Sequence, residues 1–189
     1  MRRLWLVRHG PTGARGMCGW TDLPADLSDV ARLNRLSLAL PWAPVVSSDL
    51  ARAVATADAL AEERPRLPHE PALREIHFGQ WEMRTHAEAS AESPALARAL
   101  WDEPGETAPP GGESWNALSL RVHGALDRLL DAHGEVIAVC HFGPILCALQ
   151  RARGITAREA FAQGIEPLSL TVLARDAGGW TVEAVDHRP

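Results

Sequence analysis

The sequence contains no lysine and no tyrosine, and this excludes several kinds of catalytic chemistry. All 19 positively charged residues are arginine. Without lysine, the chain has no phosphate-binding P-loop, no Schiff base and no lysine general base. Without tyrosine, a further acid or nucleophile is missing. A reaction that needs positive charge must therefore rely on arginine or histidine.

Cysteine is scarce as well. The three cysteines, Cys18, Cys140 and Cys147, are odd in number and have neither the spacing of a metal site nor that of a redox pair. We expect them to be reduced thiols, as is usual in the cytosol. The sequence also lacks an apolar run long enough for a signal peptide or a membrane span. These absences predict a cytoplasmic protein with no membrane partner.

The composition is that of a globular protein, with 189 residues of which 46% are hydrophobic and 23% are charged. This length fits one domain, residues 1–189, with room for a small insertion. The net charge of −5 argues against a general nucleic-acid binder, although it allows a local basic pocket. We therefore expect no nucleic-acid partner, and a homodimer is compatible with the sequence.

Apolar runs that suit buried strands alternate with amphipathic stretches that suit helices. This alternation predicts an α/β fold, a three-layer α/β/α sandwich with a mostly parallel central sheet. The predicted strands cover 4–8, 44–47, 135–140, 168–174 and 180–185, and the last two suggest a hairpin. Ser48 is expected to cap the helix that follows it. Residues 83–112, rich in alanine and broken by prolines, predict a small helical lid or insertion.

Three predicted strand-to-helix junctions carry residues that suit an anion. Arg8 and His9 follow the first strand, Arg52 lies in the first turn of a helix, and His141 ends a later strand. Because the carboxyl ends of parallel strands meet at one edge of a sheet, we expect these side chains to converge, with Glu75 near the same edge. Arginine forks and helix N-termini both bind phosphate groups. The junctions therefore predict a phosphate-type pocket.

Six segments of the chain carry a more specific pattern. They are Leu6–Thr12, Gly19–Pro24, Ser47–Ala57, Leu73–Glu82, Pro110–Ser114 and His141–Pro144. Together they resemble the histidine phosphatase superfamily, which is also described as phosphoglycerate mutase-like. The segments occur in the family's order and cover most of the chain, so a chance match at all six places is implausible.

The resemblance implies a role for each residue of the predicted pocket. His9 is the implied nucleophile that forms a phosphohistidine, and Arg8, Arg52 and His141 are the implied phosphate-binding residues. Glu75 is the implied acid, with other glutamates, Glu82 and Glu113, as alternatives. Arginine and histidine supply the positive charge that phosphoryl transfer needs, so no metal ion or other cofactor is expected.

Several positions depart from the family's frequent pattern, which keeps the implied chemistry and leaves the identity of the substrate open. Phe142 stands in place of a glycine and Leu146 in place of an arginine, while Met83 replaces a glycine and Arg15 an asparagine. The candidate substrate contacts are Thr12, Arg15, Cys18, Gly19 and Phe142. Two tryptophans, Trp20 and Trp81, are candidates for stacking on a substrate.

Within the family, the Gly-Trp-Thr-Asp and Pro-Pro-Gly-Gly-Glu-Ser segments are most similar to α-ribazole phosphate phosphatases of cobalamin synthesis. The expected reaction is metal-independent hydrolysis of a small phosphorylated metabolite, with α-ribazole phosphate as a candidate. A phosphohistidine protein phosphatase and a mutase-type phosphotransferase are alternative enzymes, and a binding scaffold is the non-enzymatic alternative. A metal-dependent hydrolase is disfavoured because no cluster of metal ligands is evident.

Overall fold

A computed structural model describes all of residues 1–189, with five strands in one mixed sheet. The strands are β1 (Arg2–Arg8), β2 (Val45–Ser47), β3 (Glu135–Cys140), β4 (Leu170–Asp176) and β5 (Gly179–His187). Their order across the sheet is β2-β3-β1-β4-β5. β2, β3 and β1 are parallel, whereas β4 and β5 join the sheet in antiparallel pairs. The predicted α/β fold is confirmed, and its last two strands form the predicted hairpin.

Two groups of helices pack on opposite faces of the sheet. The seven helices are α1 (Val30–Ala39), α2 (Ala51–Ala61), α3 (His86–Glu92), α4 (Pro94–Asp102), α5 (Trp115–His133), α6 (Phe142–Arg153) and α7 (Ala157–Phe161). Side chains alternate along β1, so Leu4 and Leu6 pack with α5 and α6 while Val7 packs with α1 and α2. This alternation produces the three layers. None of the helices is long and apolar enough to cross a bilayer.

The segment 83–112 contains α3 and α4, which pack into a small cluster of their own. Its members are Met17, Trp81, Ala89, Ala97 and Leu100. Trp81 is fully buried in this cluster. Its large side chain therefore anchors the segment, and the expectation that Trp81 stacks on a substrate is wrong.

The register of the parallel strands determines which residues meet at the edge of the sheet. Arg8 of β1 pairs with Cys140 of β3, and Ser47 of β2 pairs with Val139. The residues that follow these strands, His9, His141 and Ser48, are therefore neighbours. Ser48 does not cap α2 as expected, because the N-cap position is Leu50, which has no side-chain hydrogen bond.

Candidate active site

His9, at the end of β1, is almost fully buried. Its Nδ1 lies 2.6 Å from the carbonyl oxygen of Gly10, a distance at which Nδ1–H donates to that oxygen. Its Nε2 accepts a hydrogen bond of 3.3 Å from Nε of Arg52. Both contacts require the tautomer with a proton on Nδ1 and a lone pair on Nε2.

The charge state of His9 follows from its surroundings. Burial, together with the charges of Arg52 and Arg8, lowers its pKa to about 3, although the hydrogen bond to Gly10 opposes this shift. The imidazole is therefore neutral near neutral pH. A neutral imidazole with an unprotonated ring nitrogen is the form that a nucleophile or a base requires.

Two guanidinium groups lie beside His9 and have no carboxylate partner. Arg52 is fully buried and donates to the carbonyl oxygens of Gly19 and Thr21, the latter at 2.9 Å. Arg8 donates to the carbonyl oxygen of Ile165, and its buried Nε has no partner. Neither arginine takes part in any ion pair of the chain. A buried and a partly buried guanidinium group that form no ion pair indicate a site for an anion.

The loop that holds Arg52 is itself organised by Glu82. This carboxylate accepts backbone hydrogen bonds from Gly19, Trp20, Thr21 and Phe78, at 2.8–3.1 Å. It also accepts a hydrogen bond of 2.7 Å from the Thr21 hydroxyl group. Burial alone raises its pKa, but these hydrogen bonds outweigh burial and the net shift is downward. Glu82 is thus an ionised group that fixes a loop, and it is not part of the cavity lining.

His141 is the N-cap residue of α6, and its fully buried ring lies 4.9 Å from that of His9. Its Nε2 is 2.7 Å from the hydroxyl oxygen of Ser48. The other ring nitrogen, Nδ1, is buried without a partner. Burial, the neighbouring His9 and the nearby arginines hold the pKa of His141 well below its ordinary value, so this ring is also neutral.

Glu75 contributes a buried carboxyl group on the other side of the site. Its Oε1 accepts hydrogen bonds from the backbone N–H groups of Ile76, at 2.9 Å, and Gly143, at 3.0 Å. Burial raises the pKa of Glu75, and this effect exceeds the opposite effects of the two N–H groups and of Arg8 and Arg52. A carboxyl group with a raised pKa holds its proton at higher pH than an exposed glutamate does.

The backbone around Glu75 is held in place by Arg121 of α5. This guanidinium donates to the carbonyl oxygens of Ala72, Arg74 and Glu75 at 2.8–2.9 Å. It also forms a two-point ion pair with Glu113 at 2.7 Å. The carboxylate of Glu113 is therefore engaged in holding Arg121, and Arg121 in turn determines where Glu75 lies.

These groups surround one end of a cavity of about 490 Å3. The charged lining residues are Arg8, Arg52 and Glu75, and His9 lies among them. The rest of the wall is largely apolar. The arrangement can bind a dianionic group at its charged end, next to a neutral imidazole and a carboxyl group with a raised pKa.

Comparison with models of protein families identifies the superfamily of this chain. The model of the histidine phosphatase superfamily (branch 1) matches residues 4–187. The chain belongs to this superfamily. The matched range includes every residue of the site, from Arg8 to Gly143, and it agrees with the resemblance seen in the six sequence segments.

Several named phosphatases are similar to this chain in sequence or in fold. The glucosyl-3-phosphoglycerate phosphatase of Mycolicibacterium vanbaalenii is 40% identical over 60% of this chain and 53% of its own length. The adenosylcobalamin/alpha-ribazole phosphatase of Salmonella typhimurium is 35% identical over 79% of this chain and 78% of its own length. A solved mycobacterial glucosyl-3-phosphoglycerate phosphatase superposes with a TM-score of 0.85 at 28% identity, covering 100% of both chains.

The structure of this histidine phosphatase brings most of the predicted site residues together. Thr12, Cys18, Phe142 and Leu146 line the cavity, together with the charged residues at its end. Two predicted substrate contacts lie elsewhere: Arg15 is exposed and outside this lining, and Gly19 is buried, with its carbonyl oxygen bonded to Arg52.

Three positioning residues were missed by the sequence reasoning: Ser48, Arg121 and Thr56. Ser48 was treated as a helix cap although it stands within one of the six matching segments. The Thr56 hydroxyl accepts a 3.0 Å hydrogen bond from the backbone N–H of Gly10 and donates to the carbonyl oxygen of Arg52. Arg121 lies within a long amphipathic helix, where an arginine ordinarily indicates a solvated face.

Proposed function

We propose that this histidine phosphatase hydrolyses a small phosphate monoester without a metal ion, through a phosphohistidine on His9. The observation that carries the proposal is the buried, neutral imidazole of His9, with its Nε2 lone pair next to guanidinium groups that form no ion pair. Splitting hydrolysis into two transfers through a covalent intermediate is the reason for using a nucleophile.

In the first proposed step, Nε2 of His9 attacks phosphorus and the bond from phosphorus to the leaving oxygen breaks. Glu75 gives its proton to that oxygen, and the alcohol departs. In the second step, water attacks the phosphohistidine and gives a proton to the Glu75 carboxylate. The N–P bond breaks, its electrons return to Nε2, and inorganic phosphate leaves. The raised pKa of Glu75 supports its use as the acid.

The phosphoryl oxygens are held, in this proposal, by Arg8, Arg52 and His141. The buried Nε of Arg8 and Nδ1 of His141 have no partner in the protein, and a bound phosphate supplies acceptors for them. Positive charge and N–H donors stabilise the charge that spreads over the phosphoryl group during transfer. The chain has no group of three His, Cys, Asp or Glu side chains arranged to hold a metal ion.

The names of the relatives suggest two substrates, α-ribazole phosphate and glucosyl-3-phosphoglycerate. We propose α-ribazole phosphate as the first candidate, in agreement with the sequence segments that it shares with such phosphatases. We also propose that residues 83–112 act as a lid. This role is supported by the position of Leu100, Trp101 and Pro104, which are part of the cavity wall.

The first prediction is that phosphate monoesters are hydrolysed without a metal ion. The purified protein is expected to release phosphate from nitrophenyl phosphate and from both candidate metabolites, at rates that a chelator such as EDTA does not change. Arginine and histidine already provide the positive charge, so no metal is needed. Phosphate release with and without chelator measures this directly. Activity that is lost in chelator and restored by a divalent ion would contradict the proposal.

A second prediction concerns the contact between Gly143 and Glu75. A Cβ at position 143 would lie only 2.3 Å from Oε1 of Glu75. Gly143→Ala should therefore displace the carboxyl group and lower kcat/KM on alkyl phosphates by about 10–100-fold. Nitrophenyl phosphate, whose leaving group needs little protonation, should be affected much less.

Gly124→Ala is the matched control, because it also adds a methyl group to a helix. Its Cβ would meet only the flexible end of Arg128, at 3.4 Å. Alanine favours a helix over glycine, so neither change is expected to weaken its helix intrinsically. Equal activity of the Gly143→Ala variant and the wild type on alkyl phosphates would show that the position of Glu75 is unimportant.

A further inference from the structure

The cavity extends well beyond the groups that can hold a phosphate. Its volume of about 490 Å3 falls in the range of sites that enclose a whole small-molecule ligand, roughly 300–1,000 Å3. Apart from its charged groups, the wall of the cavity is built largely of apolar side chains. These include Ile76, Phe78, Leu100, Trp101, Trp115, Phe142, Leu146 and Phe161. Most of this apolar lining is left for the part of a substrate that is not the phosphoryl group.

Three ring contacts give this wall an aromatic character. Trp115 and Phe161 meet edge to face with their centroids 4.6 Å apart. Trp101 lies 6.3 Å from Phe161 and 4.5 Å from His86. The four rings come from α5, α7, α4 and α3, so four separate helices contribute to one surface, which we call the aromatic wall. Offset and edge-to-face arrangements of this kind readily accept a further ring.

The distribution of charge limits what this wall can bind. No arginine other than Arg8 and Arg52 lines the cavity, and both lie beside His9. A second anionic group on the substrate, such as a carboxylate, would lose its hydration against the aromatic wall without gaining an arginine partner. Substrates with an uncharged leaving group are therefore favoured over phosphorylated carboxylic acids.

We propose that the aromatic wall binds the leaving group of the substrate, and that this group carries an uncharged aromatic ring. The inference rests on the proposed phosphatase function, because it takes the phosphoryl group to lie between Arg8 and Arg52. The preferred substrates are then phosphate monoesters of alcohols that bear an aromatic or heteroaromatic ring. Trp101 and Phe161 are the specificity-determining residues.

Binding of non-hydrolysable phosphonates tests the inference independently of catalysis. 2-Phenylethylphosphonate and ethylphosphonate share the same anionic group and differ by one phenyl ring. Calorimetric titration of the wild-type protein should give a Kd at least about tenfold lower for the phenyl compound. A phosphonate with a carboxylate in place of the ring should bind no more tightly than ethylphosphonate. Equal Kd values for the phenyl and ethyl compounds would overturn the inference.

Variants then assign the preference to the aromatic wall. Trp101→Ala should remove most of the advantage of the phenyl compound and leave the Kd of ethylphosphonate within about twofold. Phe161→Leu provides a second, milder change that keeps an apolar side chain. Trp42→Ala is the matched control, because Trp42 is 70% exposed and does not line the cavity. An undiminished phenyl advantage in both wall variants would refute the assignment.

Turnover separates a failure of this inference from a failure of the proposed function. The alcohols released from 2-phenylethyl phosphate and ethyl phosphate are both simple alkanols, so kcat/KM should favour the phenyl ester through binding alone. If the phenyl phosphonate binds more tightly but no monoester is hydrolysed, the phosphatase proposal is wrong, and the proposed binding of a ring by the aromatic wall is still supported. If both esters are hydrolysed with equal kcat/KM, the proposed role of the aromatic wall is wrong and the phosphatase proposal is not affected.

Discussion

Replacement of His9 by alanine is expected to lower kcat by about a thousandfold or more, on every phosphate monoester. The reason is that the proposed covalent intermediate forms on Nε2, the ring nitrogen that carries the lone pair. The neighbouring His141 does not offer the same nucleophile, because its Nε2 lies 2.7 Å from the Ser48 hydroxyl and its Nδ1 is the proposed N–H donor to the phosphate.

Rapid mixing with labelled substrate provides the direct measurement for His9. The wild-type protein should form a phosphoenzyme that is labile in acid and stable in alkali, as expected for phosphohistidine, and the His9→Ala variant should form none. His187→Ala is a suitable control, because His187 is exposed at the end of β5. Normal turnover by the His9→Ala variant would exclude the covalent mechanism.

Glu75→Gln is expected to have the second largest effect, and this effect should depend on the leaving group. An alkoxide must be protonated as it departs, so loss of the acid should cost about 10²–10⁴-fold on an alkyl phosphate. Nitrophenolate is a weak base and should depart with little help. If breakdown of the phosphohistidine limits both reactions, both should slow equally, and a burst of alcohol release will reveal this case.

The pH dependence of kcat/KM should carry the signature of the same carboxyl group. Since burial raises the pKa of Glu75, the acid form persists above the range of an exposed glutamate and is lost as the pH rises further. Activity should therefore fall on the alkaline side, and Glu75→Gln should remove that limb on alkyl phosphates. With its pKa at about 3, His9 contributes no limb near neutrality.

Glu63→Gln, at an exposed position after α2, controls for the loss of a carboxylate from the chain. A wild-type alkaline limb that persists in Glu75→Gln would assign the titration to another group. Unchanged rates on alkyl phosphates would exclude Glu75 as the acid. Neither Glu82 nor Glu113 is then a simple substitute, because the first fixes a loop and the second is paired with Arg121.

The charged end of the site could be predicted from sequence because local rules determine it. A short apolar run that ends in Arg8 and His9 predicts a buried strand followed by a turn. Parallel pairing with β3 then brings His141 to the same edge. Arg52, in the first turn of α2, faces this edge for the same reason. Each of these inferences needs only the pattern of one element and the rule that strand ends meet.

The apolar end of the cavity could not be predicted in this way. Trp101, Trp115 and Phe161 lie on three helices, and each alone fits the pattern of ordinary packing residues. Only the packing of α4 and α7 near the start of α5 brings the rings together. The tryptophans singled out from the sequence have other contacts: Trp20 donates to the carbonyl oxygen of Glu75, and Trp81 is buried under α3 and α4.

The way in which Arg8 and Arg52 are held has a consequence for the conformational stability of the whole protein. Their guanidinium groups are bonded to backbone carbonyl oxygens and have no carboxylate to neutralise them. Two like charges in one pocket, one fully and one partly buried, raise the free energy of the native state relative to the unfolded chain. An anion that enters the pocket removes this repulsion and binds only the native state. Phosphate, the product of the proposed reaction, is therefore expected to be a stabilising ligand as well, and the free energy of unfolding should rise with its concentration as RT ln(1 + [L]/Kd).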